Sequence, residues 1–220
     1  MTTLQGREAA FAGRVAADAT HEMRNVLAIV KESAGLMEDL LGACVDGAPV
    51  DRARMDRALG RIDAQVGRGA ELMSHLNRFA HSLERKPERL DLGREIEQAV
   101  FLGRRSARKR RILLSAQAGA TAPPAEADSF GVQMAIAEAV EWWLARIPEG
   151  ATVRLRPVDA AGRPAVEMTG ETADGVPLPS PGSSPGWDDL QRLLEGLAAT
   201  AEAAEDPAGL RVALSGRTEP

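Results

Sequence analysis

Tyrosine is absent from this 220-residue chain, aromatic residues make up 3% of it, and there is a single cysteine, Cys44. Hydrophobic residues reach 44%, so a core can form, but it must be aliphatic and alanine-rich. That composition favours packed helices over a β-sandwich. One cysteine excludes an intrachain disulfide and predicts a reducing compartment, with Cys44 a free thiol. No apolar run approaches the roughly 20 residues that span a bilayer. The first residues, MTTLQGREAAF, lack the basic-then-apolar order of a secretory signal. The expectation is a soluble cytoplasmic protein with no membrane contact. A net charge of −5 gives no general attraction to nucleic acid.

Proline is also missing from residues 7–43 and 51–86, where apolar residues recur in alternating steps of four and three. Met23, Leu27, Val30, Ala34, Met37 and Leu41 form one such seam. Met55, Leu59, Ile62, Val66, Gly69, Met73, Leu76, Ala80 and Leu83 form another. Gly47 and Pro49 mark a turn between them, Asp51 is placed to cap the second helix, and Pro87 ends it. Residues 1–86 therefore read as an antiparallel helical hairpin. Two helices cannot cover both seams, so a homodimer through residues 7–86, closing a four-helix bundle, is expected.

Residues 87–220 mix helix and strand patterns. Helices are predicted over 90–110, 128–147 (capped by Asp128) and 187–204. Strands are predicted over 111–116, 151–159, 164–170 and 209–216, with an irregular Pro/Gly/Ser segment, DGVPLPSPGSSPG, before the last helix. The fold class expected is α+β, a long helical hairpin followed by an α/β sandwich.

The stretch ATHEMRNVLAIV, residues 19–30, carries the chemistry. At about 100° per residue His21 points away from the seam through Met23 and Leu27, with Asn25 and Ala28 above it. Glu22 and Arg24 flank that line. Neutral imidazole is a nucleophile near pH 7, a neighbouring carboxylate can take its proton, and an arginine can draw a phosphoryl oxygen. Asn25 is placed to orient a water for the hydrolytic step. HEMRN also begins like the zinc motif H-E-x-x-H, but Asn25 stands where the second histidine is required, so no metal is expected. His75 and His81 read as surface or boundary residues of the second helix. The basic run RRSARKRR, residues 104–111, reads as the solvated end of a helix.

These residues resemble the phosphoacceptor motif of two-component sensor histidine kinases, matching it at His21, Glu22, Arg24, Asn25 and Leu27, with Val26 in place of the usual proline. The hairpin is similar to that family's dimerisation and phosphotransfer domain. NRFAHSLERKPERLDLGREIEQAV resembles the junction into its ATP-binding domain. The resemblance implies that His21 carries the phosphoryl group, that Glu22 assists as base, that Arg24 flanks the site and that Asn25 holds the position used for phosphatase activity.

The catalytic half departs from the family pattern. In EAVEWWL, Glu138 matches the first position of the Asn-containing box, but Trp142 replaces the Mg²⁺-holding asparagine and Trp143 the small residue after it. Both indoles are expected to pack in the core. In ETADGVP, Glu171 stands for the adenine-recognising aspartate, Ala173 for the first glycine, and Gly175 keeps the tail of the motif; the later glycine-rich lid is absent. The pattern is that of a histidine phosphotransferase with a degenerate kinase domain. It implies response-regulator receiver domains as partners, Mg²⁺ on the receiver, and no ATP or metal of its own. A divergent kinase that still binds ATP, and a non-catalytic pseudokinase regulator, are the competing readings.

Overall fold

In the computed structural model, residues 3–43, 49–118, 122–123, 125–205 and 208–215 are described. Cys44 and most of the hairpin turn lie outside them. Two compact units are distinguished, 12–80, and 1–11 together with 81–220. No helix among the described residues is long and apolar enough to cross a membrane.

The first unit is built on two helices, α1 (Leu4–Gly42), whose opening turns belong to the other unit, and α2 (Arg52–Ser82). The α2 N-terminus is capped as its sequence implies, Asp51 Oδ1 accepting from Arg54 N at 3.0 Å. Val15, Ala19, Val26 and Ser33 are buried on α1, and Ala58, Gly69, Leu72 and Phe79 on α2. An added Cβ on Gly69 would come 3.5 Å from the Val26 side chain, which places these two residues opposite each other in the hairpin. The seam read from sequence is therefore split. Its members Leu27 (60% exposed), Leu59, Val66, Met73 and Leu41 face water, while Met23, Val30, Met37, Met55 and Ile62 are half-buried. The row that meets the other helix lies one residue earlier, through Val26 and Ser33. Heptad spacing picks out the outward row of α1 because that row is the more continuously apolar, whereas the row that meets α2 carries Glu22 and Ser33.

Helix α2 stops at Ser82, five residues ahead of Pro87. The main-chain amide N–H groups of Glu84 and Arg85 close on His81 and Ser82 carbonyls, and Arg85 adopts φ 55°. Its guanidinium donates to Glu8 Oε1 at 2.7 Å and Asp128 Oδ2 at 2.9 Å, and lies 5.2 Å from the centre of the Phe130 ring. Phe11 meets that ring edge-on at 5.8 Å. Satisfying two carboxylates and one aromatic face from a single side chain offsets the cost of a left-handed backbone at a residue with a Cβ.

The second unit holds a two-stranded ribbon, β1 (Pro87–Leu90) with β3 (Ala125–Asp128), which the sequence reading did not anticipate. It also holds a five-stranded sheet of β2 (Leu113–Ala116), β4 (Thr152–Ala160), β5 (Arg163–Glu171), β7 (Ala208–Leu214) and β6 (Ala199–Glu205), in that order. The β2–β4 pair is parallel and the others antiparallel. The β4–β5 turn places Ala161 (φ 55°) and Gly162 (φ 81°) in succession, the type I′ geometry whose twist suits a hairpin. Helices α3 (Leu92–Lys109) and α4 (Ser129–Leu144) cover one face. Leu155, Met168 and Leu210 stand side by side across three strands on that face, each at 0% exposure. Asp91 caps α3 and Asp128 caps α4.

The segment expected as one helix over 187–204 is instead α5 (Trp187–Glu195) followed by β6. Ala198 turns the chain at φ 53°, and residues 199–205 then pair along the whole of β7. Alanine prefers helix locally, but here the backbone of β7 offers a full ladder and the apolar face of Ala199 and Ala201 is buried on it.

The opposite face of the sheet carries a row of charges. Arg156, Glu167, Arg211 and Glu202 are register partners across four strands. Glu167 is 2% exposed and accepts from Arg156 Nε at 2.8 Å and Arg211 Nη2 at 2.8 Å. Burial works against its charge, yet the hydrogen bonds from Arg211 and Arg156 outweigh that and hold its pKa below the ordinary carboxylate value.

Candidate functional site

His21 is exposed on α1, and Arg24, Asn25 and Ala28 are exposed beside it. It lies six residues before Leu27, which is about 120° round the helix at 100° per residue. The imidazole and the outward apolar row thus occupy different faces. Asn25, one turn on, places its Nδ2 at 3.3 Å from His21 Nδ1. Glu22 does not share this face. Its side chain is 25% exposed, lies on the side of α1 toward α2, and forms an ion pair with the guanidinium of Arg68. Arg68 was not among the residues read from sequence. It is 46 positions from Glu22, and only the register of the hairpin brings the two together.

His75 and His81 each have a carboxylate about one turn away, which adjacency in sequence did not reveal. His75 Nε2 is 3.9 Å from Glu71 Oε1, and His81 Nδ1 is 3.6 Å from Glu84 Oε1. His81 is exposed and His75 half-buried. Among the described residues no group of three or more His, Cys, Asp or Glu side chains is placed to hold a metal ion.

In the second unit the residues at the eroded motifs are engaged with their own chain. Trp143 is buried at 2% exposure, as expected of a core residue. Trp142 is half-buried and makes different contacts from those expected of it. Its Nε1 donates to the Gly186 carbonyl at 3.2 Å, its ring meets Trp187 edge-on at 5.6 Å, and the Arg146 guanidinium lies 4.0 Å from its centre. Arg146 also donates to the Pro185 carbonyl, at 3.1 Å from Nε and 2.8 Å from Nη2. Together they fasten the Pro/Ser/Gly segment to the C-terminal end of α4. Glu171 accepts from Arg154 Nη2 at 2.7 Å. The turn after it closes on itself, Gly175 N donating to Thr172 O at 2.9 Å with Gly175 at φ 76°. Glu138 is half-buried on α4.

No family model and no curated protein matches the sequence. Solved structures do. Several of the solved structures that it resembles are histidine kinases. One is the histidine kinase AdeS of Acinetobacter baumannii, at 10% identity and a TM-score of 0.45, covering 90% of this chain and 98% of that one. A histidine kinase from Burkholderia phymatum is similar at 16% identity and a TM-score of 0.43, covering 87% and 99%. The histidine kinase ThkA in complex with the response regulator protein TrrA is similar at 14% identity and a TM-score of 0.42, covering 96% of this chain and 63% of that one. The likeness is one of fold, a helical N-terminal region followed by a sheet domain.

Proposed function

We propose that this chain is a histidine phosphotransfer protein of a phosphorelay, passing a phosphoryl group between His21 and the aspartates of receiver domains. The exposure of His21 on a rigid helix face, clear of the outward apolar row, carries this reading. A receiver holding an aspartyl phosphate would meet the exposed imidazole on that face. One ring nitrogen attacks phosphorus, the acyl P–O bond breaks, and the aspartate leaves as a carboxylate. The receiver supplies Mg²⁺, which stabilises the charge on the phosphoryl oxygens, and Arg24 adds a cation beside the histidine. ThkA, captured with a response regulator, is a precedent for the partner class.

The chain is expected to carry out no ATP chemistry of its own. At the position where an asparagine would hold Mg²⁺, Trp142 is hydrogen-bonded to Gly186 and stacked on Arg146. Glu171, at the adenine-recognising position, is already paired with Arg154. An indole offers no metal-ligating oxygen, and a paired carboxylate would have to give up its arginine to accept the adenine amine.

The outward rows of the hairpin support a homodimer. Leu27 and Ala34 on α1, and Leu59 and Met73 on α2, each follow a buried residue by one position, and Leu41 and Val66 continue the two rows after half-buried residues. The helices are antiparallel, so the same rotation of about 100° in each carries both rows to one side of the hairpin. A second copy placing its own stripe there would form a four-helix bundle and leave both His21 side chains outside.

The test is incubation of the purified chain with a ³²P-labelled receiver, and separately with γ-labelled ATP and Mg²⁺. The label is expected to pass from the receiver to the wild-type chain and not to His21→Ala, and ATP alone is expected to give no labelling. Labelling of His21 by ATP alone would establish a kinase instead. An unlabelled wild type in both arms would leave only the regulator.

A further inference from the structure

A neutral imidazole has one proton for two nitrogens, and the nitrogen without it is the nucleophile. The group that hydrogen-bonds Nδ1 decides where the proton sits. Polar side chains near the ring include Asp18 and Thr20 before it and Glu22, Arg24 and Asn25 after it, and Thr20 is turned to the Ala16 carbonyl, to which its hydroxyl donates at 2.7 Å. Glu22 follows His21 directly, and side chains one residue apart on a helix do not face each other. Its carboxylate is turned to α2 and paired with Arg68. Asn25, four residues on, shares the face of His21 and reaches Nδ1 at 3.3 Å. Among the described residues this amide is the hydrogen-bond partner of the ring.

Building on the phosphotransfer reading, we propose that Asn25 is a positioning residue that sets the tautomer of His21. With the amide N–H donated to Nδ1, the ring proton is on Nε2 and neither lone pair is open, so the resting histidine is capped. Turning the carboxamide over presents Oδ1 in the same place. Oδ1 accepts Nδ1–H and the Nε2 lone pair becomes free on the exposed edge of the ring. In that state Nε2 forms the N–P bond as the P–O bond to the donor aspartate breaks. The aspartate departs with the bonding pair, and Nδ1 keeps its proton. A carboxamide serves both states because it offers a donor and an acceptor at one position, which aspartate and alanine do not.

Nitrogen-15 imidazole spectra of the full chain read the proton position directly, at a pH of about 9 where imidazole is neutral. The His21 signals are identified by their loss in His21→Gln. Wild type is expected to hold the proton on Nε2. Asn25→Asp, an acceptor only, is expected to move it to Nδ1, changing the tautomer ratio by about threefold or more, as a hydrogen bond of ordinary strength does. Asn25→Ala is expected to lower the Nε2–H excess, and Arg68→Ala to leave it as in wild type. Identical ratios in wild type, Asn25→Asp and Asn25→Ala would overturn the proposal. So would a shift in Arg68→Ala, which would assign control of the ring to Glu22. The spectra need no phosphoryl donor. A failed transfer assay therefore refutes the proposed function while leaving the tautomer result standing, and unchanged spectra with intact transfer refute the role of Asn25 alone.

Discussion

Val66→Glu is expected to turn the proposed dimer into a monomer. Val66 is 58% exposed in the single chain and stands midway along an apolar row, with Leu59 at 49% and Met73 at 53% seven residues to either side. Covering such side chains contributes about 1.5–3 kcal/mol for each one fully buried. A symmetric pair of hairpins would bury the row twice. Glutamate in its centre would remove that gain and place a carboxylate without a partner in the interface, at several kcal/mol per copy. Since each 1.4 kcal/mol is tenfold, the dissociation constant should rise by about a thousandfold or more. Sedimentation over a range of concentrations measures it. Val66→Leu should stay dimeric, and Val66→Glu should keep its helical circular dichroism, because its side chain points away from the α1–α2 contact. A wild-type chain that sediments as a monomer at the highest concentrations would remove the bundle from the account.

The second large effect is expected at Glu167. Its carboxylate is nearly inaccessible and accepts hydrogen bonds from Arg156 and Arg211 on the strands to either side. Glu167→Ala would leave two cations facing each other across β5 without their common anion. Removing one partner of a buried ion pair costs about 3–5 kcal/mol. For a chain of this size that corresponds to a fall in Tm of roughly 10 °C. Glu167→Gln keeps the shape and one acceptor oxygen, and should lose less. The pH dependence has a definite sign. The folded-state pKa of Glu167 is depressed, so its contribution is fully present above the unfolded value, near 4.5, and is lost as pH falls through the folded value. Wild type should therefore lose stability relative to Glu167→Ala only below about pH 4.5, the two melting curves drawing together as acid is added. A constant difference between them down to pH 2 would show that packing, and not charge, is what the substitution removes.

Much of the fold was legible because local rules sufficed. Long proline-free periodic segments gave α1 and α2, and Asp51 and Asp128 cap the helices that follow them. The β4–β5 hairpin announced itself through the two strand patterns over 151–159 and 164–170. Where local preference and tertiary pairing disagreed, pairing won. The alanine-rich segment after α5 became β6 because β7 offered it a ladder, and α2 ended early because Arg85 found partners in Glu8 and Asp128.

At the candidate site the division is similar. The one-dimensional pattern was enough to turn His21 outward and to put Asn25 on its face, because both follow from the angle per residue of a helix. It could not say that the row through Val26 and Ser33, and not the more apolar one, meets the other helix. Nor could it say that Glu22 pairs with Arg68, or that Trp142 fastens the Pro/Ser/Gly segment through Gly186 and Trp187. Those contacts join residues 44–46 positions apart. Periodicity along a helix is a property of the chain alone, whereas a partner on another element is chosen by register, which only the folded chain possesses.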